Sequence, residues 1–122
     1  METTLPTYIK IMKIIRQEIV SGVLEPNQKI ESIKELAKKY NANPNTVQRA
    51  LVCLEEEGLL RSKRTVGKFV TDNKLLIKSI RYKEARKVTE EFVSNLEHLG
   101  IHPEELVKLF AEPELSKVMG TA

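Results

Sequence analysis

The sequence has one cysteine, Cys53, which excludes an internal disulfide and a cysteine-rich metal site and makes a reducing cytoplasm the expected compartment. Nowhere do 18 apolar residues follow one another, and the opening METTLPTY lacks a basic stretch ahead of an apolar one. Neither a membrane span nor a secretory leader is expected. The phosphate-cradling pattern GxxxxGK[ST] is missing, because Gly67-Lys68 is followed by phenylalanine and has no glycine five residues ahead. His98 and His102 have the spacing of helical metal ligands, but Gly100 between them breaks the register, so no metal is expected and His102 reads as a helix cap. No serine or cysteine stands in a recognisable pattern with a histidine and an acid. Internal repeats and low-complexity tracts are absent too. The expectation is no enzyme and no cofactor.

What is present suits a folded protein: 122 residues, 41% hydrophobic and 30% charged, enough for one small domain with a helical extension. The net charge is only +3, so its distribution matters more than its sum. Residues 1–72 carry 12 Lys/Arg against 9 Asp/Glu, whereas 73–122 carry 8 of each. Arg61, Lys63, Arg64 and Lys68 form an acid-free basic patch just after Glu55, Glu56 and Glu57, placed to attract a phosphate backbone.

Apolar residues at Tyr8, Ile11, Met12, Ile15 and Ile19 predict a helix from Thr7 to Val20, ended by Ser21-Gly22. Ile9 and Ile14 lie off that stripe and suggest a second apolar neighbour, the C-terminal part or another subunit. Pro26-Asn27 marks a turn in a connector with a short extended end. Ser32 to Glu35 fits a capping box that opens a short helix with Ile33, Leu36, Ala37 and Tyr40 inward. Asn43 then caps a third helix with Pro44 in its first position and Gly58 as its stop. Runs near 59–63 and 68–71 flank Arg64 to Gly67 and predict a hairpin. Three helices followed by a two-stranded ribbon make a winged helix-turn-helix. Beyond residue 72 the composition turns helical: one long helix closed by Gly100, then a second opening at Pro103 and running through Phe110. The fold class is therefore mainly α with a small β-hairpin, with a DNA-binding head over 1–72 and a two-helix tail over 73–122.

The third helix buries Val47, Ala50, Leu51 and Leu54 while presenting Asn45, Thr46, Gln48 and Arg49. A major groove admits one helix and is read by such groups: amides pair with adenine, guanidinium with guanine, and hydroxyls with either or with phosphate. Ordinary solvated capping residues are the plainer alternative, and the tight preceding turn and the basic hairpin argue against it.

The stretch from Pro6 to Val70 resembles the winged-helix domain of the GntR family of bacterial transcription regulators, in PTY, IVSGVLEP, SIKELAKKY, NPNTVQRAL, LEEEGLL and GKFV. The tail is similar to the YtrA-like subfamily. The resemblance implies cytoplasmic regulation of transcription, as a repressor by family habit, through double-stranded DNA and a tail that dimerises. It implies Asn45, Thr46, Gln48 and Arg49 in the major groove, and Ser32 and Lys34 on phosphates. Lys63, Arg64, Thr65 and Lys68 would place the wing, and Tyr8 would reach a phosphate or pack in the core. The chain has Asn27, Glu31, Lys34 and Thr65 where the family commonly has glycine, proline, arginine and glycine. Lys34 can hold a phosphate only as a point charge.

Dimerisation also follows from the residues. Leu76, Ile80, Val88, Phe92, Leu96 and Leu99 line a helix too long to bury its own stripe, so a homodimer on a palindromic operator is expected. A small-molecule effector of unknown identity remains open, with room only at the dimer interface or between head and tail. Cys53 reads as a small half-buried hydrophobe, with a redox thiol as the alternative. The rival function is a winged-helix module whose basic hairpin meets an acidic protein.

Overall fold

The computed structural model describes residues 7–118 and 120; Pro6, the first residue of the resembling stretch, and the chain termini lie outside them. Its elements are α1 (Thr7–Val20), α2 (Ile33–Lys39), α3 (Pro44–Glu56), β1 (Leu60–Lys63), β2 (Gly67–Val70) and α4 (Lys74–His98). After α4 come a 3-10 turn (Pro103–Glu105), α5 (Leu106–Phe110) and α6 (Pro113–Val118). The chain divides into two compact units between Tyr82 and Lys83, inside α4, whereas the change to helical composition comes at residue 72.

Local chemistry sets the ends of the head helices. Ser32 Oγ accepts from the Glu35 N–H at 3.1 Å and the Glu35 carboxylate from the Ser32 N–H at 3.0 Å, which completes the capping box of α2. Asn41 then turns the chain at φ 50, a left-handed angle that asparagine tolerates. Asn43 caps α3 by accepting from the Asn45 N–H at 2.8 Å. At the other end the Leu59 N–H reaches the Leu54 carbonyl at 3.0 Å and the Gly58 N–H reaches that of Glu55 at 2.9 Å. That Schellman pairing needs a left-handed residue, and Gly58 supplies it at φ 83.

The 3.6-residue period then decides what is buried. Ile11, Ile15 and Ile19 of α1 meet Val47, Ala50, Leu51 and Leu54 of α3, with Leu36 of α2 alongside. Leu59, Leu60 and Val70 close the core from the hairpin, and Ile30 and Ile77 from its edges. Each such aliphatic side chain removed from water contributes about 1.5–3 kcal/mol. Ile14 stays exposed. The bidentate Arg16–Glu57 pair, at 3.0 and 2.6 Å, ties α1 to the end of α3. The Arg81 guanidinium donates to the Val20 carbonyl at 2.6 Å, where the last turn of α1 leaves carbonyls unpaired.

β1 and β2 pair antiparallel, from Leu60 opposite Val70 to Lys63 opposite Gly67. The end of the connector runs beside β2: the Ile30 N–H donates to the Lys68 carbonyl at 3.0 Å and the Val70 N–H to that of Gln28 at 2.9 Å. Lys29 therefore sits against the hairpin, and a Cβ on Gly67 would meet its side chain at 3.0 Å.

In the second unit, the Phe92 and Phe110 rings stack at 6.5 Å. Val88, Leu99 and Val107 remain largely exposed there. His102 stands at the start of the 3-10 turn, its N–H donating to the Glu105 carboxylate at 3.3 Å. The helix expected from Pro103 through Phe110 is replaced by the 3-10 turn and the short α5. A further helix, α6, follows where Pro113 cannot continue α5 and serves instead as a first helical residue.

Candidate nucleic-acid interface

The site begins with the phase of α3. Its buried stripe is almost fully excluded from solvent, so Asn45, Gln48 and Arg49 on the other side are exposed and Thr46 is half-buried. Pro44 and the Asn43 cap hold this first turn without using the side chains of Asn45, Gln48 or Arg49. The Arg49 guanidinium carbon lies 3.9 Å from the centre of the Tyr8 ring, so these two predicted residues meet across α1 and α3.

The start of α2 faces the hairpin across a cleft of about 640 Å³. Its cationic lining is Lys29, Lys34, Lys63, Arg64 and Lys68, with Ser32 and Thr65 on the same walls and Glu31 as the opposing acid. The structure thus brings Ser32 and Lys34 together with all four predicted wing residues, while Asn45, Gln48 and Arg49, with the half-buried Thr46, form a separate row on α3. The Ser32 hydroxyl oxygen accepts from the Glu35 N–H. The bonds from the Ser32 backbone and then from its hydroxyl hold the Glu35 carboxyl below its ordinary range.

The wing is less positive than its sequence. Lys68 donates to the Glu55 carboxylate, and also to Ser62 Oγ at 2.9 Å, while the Ser62 hydroxyl reaches Glu55 Oε1 at 3.0 Å. The Lys68 ammonium foremost, with the Ser62 hydroxyl, outweighs burial and lowers the Glu55 carboxyl below its usual value. Arg61 donates to Asn27 and lies 4.0 Å from Asp72. Lys63 rests over the Phe69 ring at 4.6 Å, and Arg64 is exposed at the tip. The tip itself is bent by a left-handed residue, Thr65 at φ 62, whose hydroxyl donates to the Arg64 carbonyl at 2.6 Å.

Sequence reasoning missed two members of this arrangement. Lys29 joins the cleft only because the connector pairs with β2, and no local pattern announces that. Glu55 belongs to the acidic run Glu55 to Glu57, and nothing in that run singles it out as the partner of Lys68. Of the expected dimer residues, Leu76 and Ile80 are partly covered and Ile80 packs on the head core. Val88, Phe92 and Leu99 are exposed, and Leu96 is half-buried. Among the described residues no helix is long and apolar enough to cross a membrane.

Residues 7–70 match the family described as "Bacterial regulatory proteins, gntR family". The chain is 31% identical over 114 residues to the uncharacterized HTH-type transcriptional regulator YhcF of Bacillus subtilis, covering 91% of this chain and 94% of that protein. It is similar in fold to a GntR family transcriptional regulator from Listeria monocytogenes, with a TM-score of 0.81 and 36% identity over 89% of this chain and 96% of that one. The DNA-binding domain of AraR in complex with operator ORR3 is similar at a TM-score of 0.55 and 32% identity, over 58% of this chain and 86% of that one.

Proposed function

Because the chain belongs to the gntR family of bacterial regulatory proteins, and so is a DNA-binding transcription regulator rather than an enzyme, we propose that it is a cytoplasmic, homodimeric repressor of a palindromic operator. The observation that carries this reading is the row Asn45, Gln48 and Arg49, held toward solvent by a stripe that is buried to within 1% of complete. Amides that both donate and accept, beside a guanidinium that donates, distinguish bases from the start of a rigid helix, whereas a protein-binding wing has no need of them. The basic cleft supports a phosphate backbone passing between α2 and the wing, with Ser32 on its wall and Lys29, Lys34, Lys63 and Arg64 as point or forked charges. The relative in complex with an operator, similar over the head, supports DNA as the partner of this unit.

The exposed Val88 and Phe92 of α4, with Leu99 just past its end, support self-association, since apolar side chains of this size gain by meeting a second copy. Two-fold symmetry then sets two copies of α3 about one helical turn, or a multiple, apart. No effector is assigned.

Selection of bound duplexes from a random library tests the reading. An inverted repeat with that spacing is the expected consensus. A pool with no consensus, together with no binding at low salt, would favour the acidic-protein alternative.

A further inference from the structure

Tyr8 lies in the first turn of α1 and Arg49 in the second turn of α3, and nothing in the spacing of the sequence links them. The Arg49 carbon is 3.9 Å from the ring centre. An atom touching the ring edge would lie about 5 Å out, so the guanidinium sits over the face. A guanidinium aimed edge-on at the ring would hold its carbon farther away. Stacked over the ring, it keeps its five N–H donors around a rim that the aromatic face does not consume. Among the described residues no carboxylate pairs with Arg49, so the ring is the group that orients it. Tyr8 is itself half-buried against the core, which makes it a fixed plate rather than a mobile partner.

We propose that Tyr8 is a positioning residue for sequence reading: its ring holds the Arg49 guanidinium so that the free rim meets the O6 and N7 of a guanine. The inference rests on the reading of α3 as the base-contacting helix. It differs from a phosphate contact, which would use the Tyr8 hydroxyl and act on all sequences alike.

The test compares affinity for the selected duplex with that for one carrying a changed base pair at the Arg49 position. The proteins are the full chain, Tyr8→Phe, Tyr8→Leu, Arg49→Ala and the Leu/Ala double variant. Tyr8→Phe keeps the plate and should hold discrimination within about twofold. Tyr8→Leu should reduce it roughly two- to fivefold, the range of an exposed cation–π contact, and should change nothing further once Arg49 is alanine. Equal damage from Phe and Leu, or a Leu effect that persists in the Arg49→Ala background, overturns the proposal while leaving the α3 reading intact. Discrimination untouched by Arg49→Ala overturns both. Because Tyr8→Phe removes only the hydroxyl, a loss of affinity in that variant that is equal on both duplexes would show the phosphate contact instead, even where Tyr8→Leu folds poorly.

Discussion

Replacing Glu55 with glutamine should make the head less stable and its grip on DNA stronger. Glu55 holds Lys68 in an ion pair whose lysine side chain is 18% exposed and whose glutamate side chain is 38% exposed, with Ser62 bonded to both. Exposed pairs contribute about 0.2–1 kcal/mol; the covered lysine and the shared hydroxyl place this one near the top of that range. For a domain of this size a loss of about 0.5–1 kcal/mol lowers the melting temperature by about 2–8 °C. The released ammonium faces the same cleft as Lys34 and Arg64. One more phosphate neutralised steepens the dependence of log K on log salt by about 0.9, which is about eightfold tighter binding at 0.1 M salt. Thermal denaturation followed by circular dichroism reads the first effect, and anisotropy across a salt series reads the second. The double variant Glu55→Gln/Lys68→Met should lose the affinity gain. An unchanged melting temperature would mean the pair holds nothing, and an unchanged salt slope would place Lys68 away from the backbone.

Asn43→Ala removes the acceptor at the start of α3 and should cost about 1 kcal/mol, with Asn43→Asp near wild type; a melting temperature unmoved by alanine would contradict the cap's role. Thr65→Gly should stabilise by about 0.5–1 kcal/mol, because relief of a β-branched residue at φ 62 exceeds glycine's added chain entropy. Urea midpoints check this, and a fall would show that the Thr65 hydroxyl bond outweighs the strain. The lowered carboxyls of Glu35 and Glu55 favour the fold above the ordinary value of 4.5 and cease to as pH falls through their folded values. Lys39, raised by its bond to the Glu31 carboxylate, and Tyr40, raised by burial, favour the fold below about 10 and cease to as pH rises through their folded values. Urea midpoints should therefore decline on both flanks, and Glu55→Gln should flatten the acid one; an acid flank identical in that variant would remove Glu55 from the account.

The parts of the fold that were legible in the sequence are those set by chemistry between neighbours. Ser32 with Glu35, Asn43 with Pro44, and Gly58 each satisfy orphan backbone groups within a few residues, so the helix ends could be read directly. The period of α1 and α3 likewise separated the buried stripe from the outward row of Asn45, Gln48 and Arg49. Pairings across the fold were not legible. Arg16 with Glu57, Lys68 with Glu55 and Tyr8 with Arg49 depend on how helices cross and how the hairpin registers, and many cations and acids in the chain could equally have met. The basic patch accordingly looked more positive than it is, and Lys29 entered the cleft through a strand pairing that its own segment does not signal. In the tail, Pro103 and the apolar residues through Phe110 suggested a simple second helix, but a five-residue α5 is too short for a period to reveal the break before Pro113.

The most direct measurement is the affinity ratio between the selected duplex and a scrambled one, taken for the full chain and for the triple variant Asn45→Ala/Gln48→Ala/Arg49→Ala. The substituted side chains are exposed, so the variant should melt close to the wild type. The account predicts that its ratio collapses toward one while residual, salt-sensitive binding through the cleft persists. A folded triple variant that keeps the wild-type ratio would contradict the claim that the start of α3 reads sequence.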